Sequence, residues 1–271
     1  MPLREFVSCW YRIDRAESHA AAFGKAWNDF LEENPYRASL RMAEDGTGSL
    51  WVVSRQDELP PVLSLEIGET LYNLRAALDG AIYAAVIRET RSDPPPNARH
   101  LGFPVCSSAD RFRQVERKVA PLKDPRRQII ESIQPYNIPS DLTPDLLVFN
   151  FNRTLDILNK WARKDRHRAL HVVGAWSSSA MPMILIPAPA YLESFVVTGD
   201  GFINGEREVA TFGIRDYDSG MNIRANPNLI IDAAVQEDPG PIAGNDTLSN
   251  RIRAMIVMTK TVVGRLESSL L

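Results

Sequence analysis

The segment from Asp145 to His171 constrains the fold most, because it contains neither proline nor glycine. As one helix rising about 1.5 Å per residue, a segment of this length crosses an entire domain. Apolar side chains recur along it at steps of three and four, which builds one face for a core. They are Leu147, Phe151, Leu155, Leu158, Ala162, Ala169 and Val172. The sequence therefore predicts a long central helix over residues 145–174.

Other segments show helical or strand periodicity. The helical pattern covers residues 14–33, 60–89 and 247–269. Short runs rich in Val, Ile, Phe and Tyr, separated by turn residues, predict a β-hairpin over 36–54 and an antiparallel sheet over 183–231. The predicted fold is α+β. It is a helical bundle of about four long helices with an N-terminal β-hairpin, and a C-terminal antiparallel sheet is inserted before the last helix.

Length and composition are those of an ordinary globular protein. The 271 residues are 44% hydrophobic and 24% charged, which does not indicate disorder. No linker is long enough to require two independent domains, so a single domain over 1–271 is predicted. The net charge of -3 excludes a strongly basic nucleic-acid-binding surface but still allows a local basic patch.

The cysteines and the apolar runs indicate the cellular setting. Cys9 and Cys106 are the only cysteines, too few for a disulfide framework or a zinc site, so a reduced cytoplasmic setting is predicted. The N-terminal residues lack the apolar core of a signal peptide. The longest apolar run is too short and too rich in proline to span a bilayer. No signal peptide and no membrane partner are therefore predicted.

The basic end of the predicted central helix is the first candidate site. Arg163, His167 and His171 stand four apart and would share one helical face. A neutral histidine can accept a proton from a ribose 2′-hydroxyl, and a neighbouring arginine can stabilise the charge on the phosphate. The alternative is a solvated helix end, where basic side chains interact favourably with the negative end of the helix dipole.

Arg166 is followed by the polar His167 and, after four intervening positions in all, by His171. This arrangement resembles the catalytic motif of HEPN-domain ribonucleases, where it lies on a late helix of a helical bundle. The resemblance implies metal-independent cleavage of RNA, with His171 as general base and Arg166 as the group that stabilises the phosphate. Because such a site needs a cleft or a dimer groove, the resemblance also leaves a homodimer open.

Two further segments resemble a second family. Residues Leu74 to Gly80 have the sequence LRAALDG, and Asn159 to Arg168 have the sequence NKWARKDRHR. Together they are similar to paired segments of the form LRxALDH and NxxDKHRxL in a broad set of uncharacterised bacterial proteins common in actinobacteria. Gly80 stands where that pattern has His, and Arg166 where it has Lys. The resemblance implies no established activity.

Charged residues beside the apolar stripes predict a polar cluster between two helices. Arg75 and Asp79 are four apart and can pair along one helix. Arg75 and Asp165 both border stripes that are expected to pack, and a buried charge must be paired. We therefore expect Arg75 to contact Asp165, in a cluster that also holds Asp79 and His167. A structural clamp and a functional site are equally compatible with such a cluster.

Residue types that bind metals are present without a metal-binding pattern. They are Glu66, Glu69, Asp156, His167 and His171. No Glu-x-x-His pair occurs, and two histidines four apart are too few ligands, so no metal and no cofactor are predicted.

The sequence leads to two functional hypotheses. One is an interaction or regulatory protein with another protein as partner, and the other is a HEPN-like ribonuclease with RNA as partner. The first is favoured, because one short motif alone supports catalysis.

Overall fold

The structure is a computed structural model that describes residues 2–55, 58–141, 150–168, 170–176, 184–186, 191–199, 201–225, 231–236 and 247–271. The chain divides into two compact units, each made of separate stretches. One unit holds residues 1–24, 64–170 and 249–271, and the other holds 25–63 and 171–248. The prediction of an α+β fold with antiparallel sheets is confirmed. The prediction of one domain over 1–271 stays a prediction.

The first unit is helical. Its helices are α1 (Val7–Glu32, as far as Gly24), α2 (Pro61–Thr90, from Ser64), α3 (Ala109–Gln114), α4 (Asp124–Ser132), α5 (Phe151–Asp165) and α6 (Leu248–Ser268, from Ser249). Side chains on α2 at helical spacing are fully buried, namely Ile67, Leu71, Leu74, Leu78 and Ile82. Met255, Val262 and Leu266 on α6 are buried in the same way. Burial of these stripes is the main stabilising term of the unit. No described helix is both long and apolar enough to cross a membrane.

The end of α5 differs from the prediction. The helix begins after Asn150, whose side-chain oxygen accepts a hydrogen bond from the Arg153 N–H, and it ends at Asp165. A strand, β3 (Val172–Trp176), follows. The predicted continuation to residue 174 is therefore wrong, while residues 145–149 lie outside the described residues. No apolar side chain occurs from Arg163 to Arg168, so this run has nothing to bury, and β-sheet pairing overrides the helical pattern beyond it.

The second unit is built from antiparallel strands. One sheet has the order β1-β2-β7-β5, from strands β1 (Tyr36–Met42), β2 (Thr47–Ser54), β7 (Glu206–Ile214) and β5 (Leu192–Val197). A second sheet has the order β6-β3-β9, with β6 (Gly201–Phe202) and β9 (Ile231–Val235) on either side of β3. The short β4 (Ile184–Leu185) pairs with β8 (Arg224–Ala225). Because β2 pairs with β7, the early and the late β segments form one sheet, which the sequence pattern did not predict.

Candidate functional site

A cavity of about 670 Å³ lies in the helical unit. Its walls come from α2, from the segment around residues 101–105 and from the C-terminal turn of α5. The volume falls within the range of small-molecule sites. The acidic and basic lining residues, including histidine, are Arg75, Asp79, Lys118, Arg163, Asp165, Arg166 and His167. The cavity therefore brings together both helix segments in which the sequence predicts candidate site residues.

The Arg75–Asp79 pair holds in place the cavity wall around residues 101–105. Arg75 Nη2 donates to Asp79 Oδ1 and to the carbonyl oxygen of Phe103, each at 3.0 Å. The same Asp79 oxygen accepts the Phe103 N–H at 2.8 Å. Both backbone groups of Phe103 are thus bound by the pair. A Cβ atom built on Gly102 would lie 3.3 Å from Asp79 Oδ1, so glycine suits this close approach. The pair acts as a clamp between α2 and the wall.

Gln134 also holds this wall, and the sequence pattern did not predict its role. This side chain is fully buried; its Oε1 accepts the Cys106 N–H at 2.9 Å, and its Nε2 donates to the Pro104 carbonyl at 3.0 Å. Asn152 on α5 donates to the Gln134 carbonyl at 2.8 Å. The wall is therefore preformed. The one sequence signal was a polar residue between Ile133 and Pro135, which is too common to select.

Asp165, the last residue of α5, lies against α2. A Cβ atom built on Gly68 would be 2.7 Å from Asp165 Oδ1. The carboxylate makes no ion pair with any residue that the structure describes, so the predicted Arg75–Asp165 pair is absent. Arg75 instead binds the acceptor one turn along its own helix. Burial raises the pKa of Asp165, the charge of Glu69 adds to this, and the helix C-terminus also disfavours a negative charge.

Positive charge exceeds negative charge in the cavity. The lining holds four basic side chains, Arg75, Lys118, Arg163 and Arg166, against the two carboxylates Asp79 and Asp165. Arg166 Nε donates to the Ala162 carbonyl at 3.2 Å. Among the described residues, Lys118, Arg163 and Arg166 have no carboxylate partner. The cavity is therefore suited to an anion.

Arg75 itself has an unused donor. Burial lowers the pKa of Arg75, the Asp79 carboxylate opposes this, and the positive charge of Arg166 lowers the pKa further. Arg75 Nη1 is buried and has no hydrogen-bond partner within the described part of the chain. A buried donor without an acceptor costs about 1–3 kcal/mol. In addition, the positive charges of Arg75 and Arg166 repel each other inside the cavity.

The two histidines of the predicted motif differ in position. Arg166 caps α5, and the exposed His167 follows it in a turn; both line the cavity. His171 lies beyond the helix, belongs to the sheet unit and is bound through its carbonyl to the Gln236 N–H at 2.9 Å. The prediction that Arg163, His167 and His171 share one helical face is therefore wrong, because the helix ends at Asp165.

The remaining candidate metal ligands have other partners. Glu66 lies 2.7 Å from His19 Nδ1, and Asp156 lies 2.7 Å from Lys160 Nζ. Within the described ranges, no three His, Cys, Asp or Glu side chains form a group that could hold a metal. Cys9 and Cys106 are free and buried, and burial raises the pKa of the Cys9 thiol to about 11.

Comparison of the chain with protein-family models, curated proteins and solved structures finds no significant match. The resemblances to HEPN ribonucleases and to the bacterial family with LRxALDH segments stay predictions.

Proposed function

We propose that this protein is a non-catalytic interaction or regulatory protein that binds an anionic small molecule in the cavity between α2 and α5. The predicted helical bundle is the scaffold of this site. One observation carries the proposal: the cavity has two more basic side chains than carboxylates, and three of the basic groups lack a carboxylate partner among the described residues. An anion supplies the missing charge.

Preorganisation of Arg75 supports the proposal. Its hydrogen bonds to Asp79 and to the Phe103 carbonyl fix the guanidinium before any ligand arrives. A ligand therefore does not have to order this side chain, and that ordering would otherwise reduce affinity.

Repulsion between arginines points to the same ligand chemistry. The positive charge of Arg166 lowers the pKa of Arg75, so the two guanidinium groups destabilise each other. The interaction of like charges is stronger in a partly buried site than in bulk water. An anion bound between them converts this repulsion into two attractions, which favours the occupied cavity.

The ring of His167, which lies beside the predicted general base His171 in the sequence, is not oriented for catalysis. A catalytic histidine is normally oriented by a hydrogen bond from its second ring nitrogen to a carboxylate or a carbonyl. In the described part of the chain, the only hydrogen bond that involves His167 comes from its backbone N–H, which donates to the Lys164 carbonyl at 2.9 Å. His167 is therefore not held as a general base would be.

Titration calorimetry with citrate, sulfate and inorganic phosphate at matched ionic strength tests the proposal. We expect at least one anion to bind the wild type, and Lys118→Gln and Arg166→Gln to weaken that binding about tenfold each, because one charge contact is lost. Arg117→Gln and Arg168→Gln are matched controls, since each removes an exposed charge next to the site that does not line the cavity.

Two outcomes would contradict the proposal. Absence of binding by all three anions would reject the cavity as an anion site. An equal loss in Arg117→Gln would show that general surface charge, and not the cavity, attracts the anion. Circular dichroism of each variant checks that the fold is retained. A protein partner and a homodimer stay predictions.

Cleavage of RNA stays the alternative, and the exposure of Arg166, His167 and His171 favours it. Labelled single-stranded RNA in EDTA distinguishes the two functions. We expect wild-type protein to leave the RNA intact. Cleavage to a 2′,3′-cyclic phosphate that is lost in His171→Ala would instead establish the ribonuclease.

A further inference from the structure

We infer that the anion is the phosphate monoester group of a small molecule, bound as a dianion by Arg75, Lys118 and Arg166. This inference rests on the proposed function. It specifies the class of ligand and assigns these three side chains to the recognition of one group.

The charge of the cavity selects a dianion. Four basic side chains and two carboxylates leave an excess of two positive charges among the lining residues. A phosphate monoester carries about -1.5 to -2 charges at neutral pH, which matches this excess. A carboxylate, a sulfonate or a phosphate diester carries a single charge and leaves part of the excess uncompensated. The monoester therefore matches the excess better than these singly charged groups do.

The placement of the basic groups suits a tetrahedral anion. Arg75 comes from α2, Lys118 from the end of a short 3-10 helix after α3, and Arg166 from the end of α5. Donors on three separate elements can approach three oxygens from different directions, whereas a planar carboxylate is satisfied by a single guanidinium fork. Arg166 uses only its Nε for the Ala162 carbonyl, and no described residue accepts from its two terminal nitrogens.

The rest of the cavity has room for an organic group. A volume of about 670 Å³ is far larger than a phosphate ion needs. Partly exposed apolar side chains, Tyr72, Ala76, Leu101 and Val105, line it beside the charged groups. Arg12 lies over the Tyr72 ring, with its guanidinium carbon 5.9 Å from the ring centre. An apolar or aromatic body attached to the phosphate would pack on this lining.

Asp165 limits the affinity. Its carboxylate is the one acidic group of the cavity without an ion-pair partner among the described residues, and it repels a bound dianion. Replacing it with the isosteric asparagine removes one negative charge and keeps the volume. We therefore expect Asp165→Asn to bind the ligand more tightly than the wild type, the opposite of what a ligand-contacting acceptor would show.

The test uses three ligands that share a phenyl group and two comparison ligands that lack it. Phenyl phosphate, benzenesulfonate and benzoate differ in charge and shape at the anionic group, inorganic phosphate lacks the body, and an RNA oligonucleotide without terminal phosphates presents diesters only. Calorimetry with the 271-residue chain should give the lowest dissociation constant for phenyl phosphate, about tenfold or more below those of benzenesulfonate and benzoate. Inorganic phosphate should bind more weakly than phenyl phosphate.

The variants assign the effect to the cavity. Lys118→Gln and Arg166→Gln should each weaken phenyl phosphate binding about tenfold, Asp165→Asn should strengthen it several-fold, and Arg117→Gln should leave it unchanged. Benzoate or benzenesulfonate binding as tightly as phenyl phosphate would overturn the phosphate assignment while anion binding stands. RNA binding as tightly as phenyl phosphate would replace the small molecule with a nucleic acid. Binding of none of the probes, nor of citrate or sulfate, would reject both proposals.

Discussion

An arginine and an aspartate occur together at two places in the helical unit, and only one of these combinations forms an ion pair. Arg75 and Asp79 bind each other and the backbone of Phe103. Asp165 has no ion pair among the described residues, and Arg166 uses one nitrogen for a carbonyl of its own helix. The first pair holds a wall of the cavity in place, while Arg166 keeps its two terminal nitrogens available to a ligand.

Spacing along the helix explains the difference. Residues four apart lie on one face and can pair, as Arg75 and Asp79 do, but adjacent residues point in different directions. Asp165 and Arg166 are adjacent at the end of α5, so neither neutralises the other as a local pair would. The contrast indicates that the Arg75–Asp79 pair stabilises the wall as well as lining the cavity, whereas Asp165 and Arg166 line the cavity without forming such a pair.

The largest expected effect is the loss of stability in Asp79→Ala. This change removes the acceptor of both Arg75 Nη2 and the Phe103 N–H. Because hydrogen bonds to charged groups are worth about 1.5–3 kcal/mol and Asp79 is partly exposed, we expect the free energy of unfolding to fall by about 2–3 kcal/mol. Urea denaturation measures it. Asp165→Ala is the matched control, and an equal loss in both variants would remove the distinction between the pairs.

An intermediate effect is expected from Gly68→Ala. Alanine in a helix interior is favoured over glycine by about 1 kcal/mol. In the wild type this gain is reduced, because the new methyl group would lie 2.7 Å from Asp165 Oδ1 and must displace the carboxylate. In an Asp165→Ala background we expect the full gain. A double-mutant cycle of unfolding free energies measures the coupling, and additive effects would show that Asp165 does not lie against Gly68.

The smallest effect is expected from Asp165→Asn, whose stability should remain within about 0.5 kcal/mol of the wild type. Since the pKa of Asp165 is raised by burial in the folded protein, the folded state binds more protons than the unfolded chain as this group titrates. The contribution of Asp165 to stability is therefore lost as pH rises through that titration, and the asparagine variant lacks this contribution.

Denaturation of both proteins between about pH 3 and about pH 7 checks this sign: the stability of Asp165→Asn relative to the wild type should increase with pH. A loss of about 3–5 kcal/mol in Asp165→Asn would instead indicate the buried Arg75–Asp165 pair that the sequence predicted.

The predictions from sequence succeeded where a local pattern was sufficient. The periodic segments at 60–89 and 247–269 correspond to α2 (Pro61–Thr90) and α6 (Leu248–Ser268), because burial of one face follows from spacing alone. They failed where pairing with a segment distant in the sequence decides the local structure. The segment after Asp165 is a strand because Val172 to Trp176 pair with residues 231–235, about sixty positions later.

The candidate site shows the same division. Spacing of four positions on one helix was enough to pair Arg75 with Asp79, since that geometry is a property of any helix. Tertiary structure alone decided that Phe103 completes the clamp and that Gln134 supports it. It also decided that Asp165 lies against Gly68 without an ion-pair partner among the described residues. These contacts join residues up to about a hundred positions apart, and their partners depend on how helices pack, which local spacing does not encode.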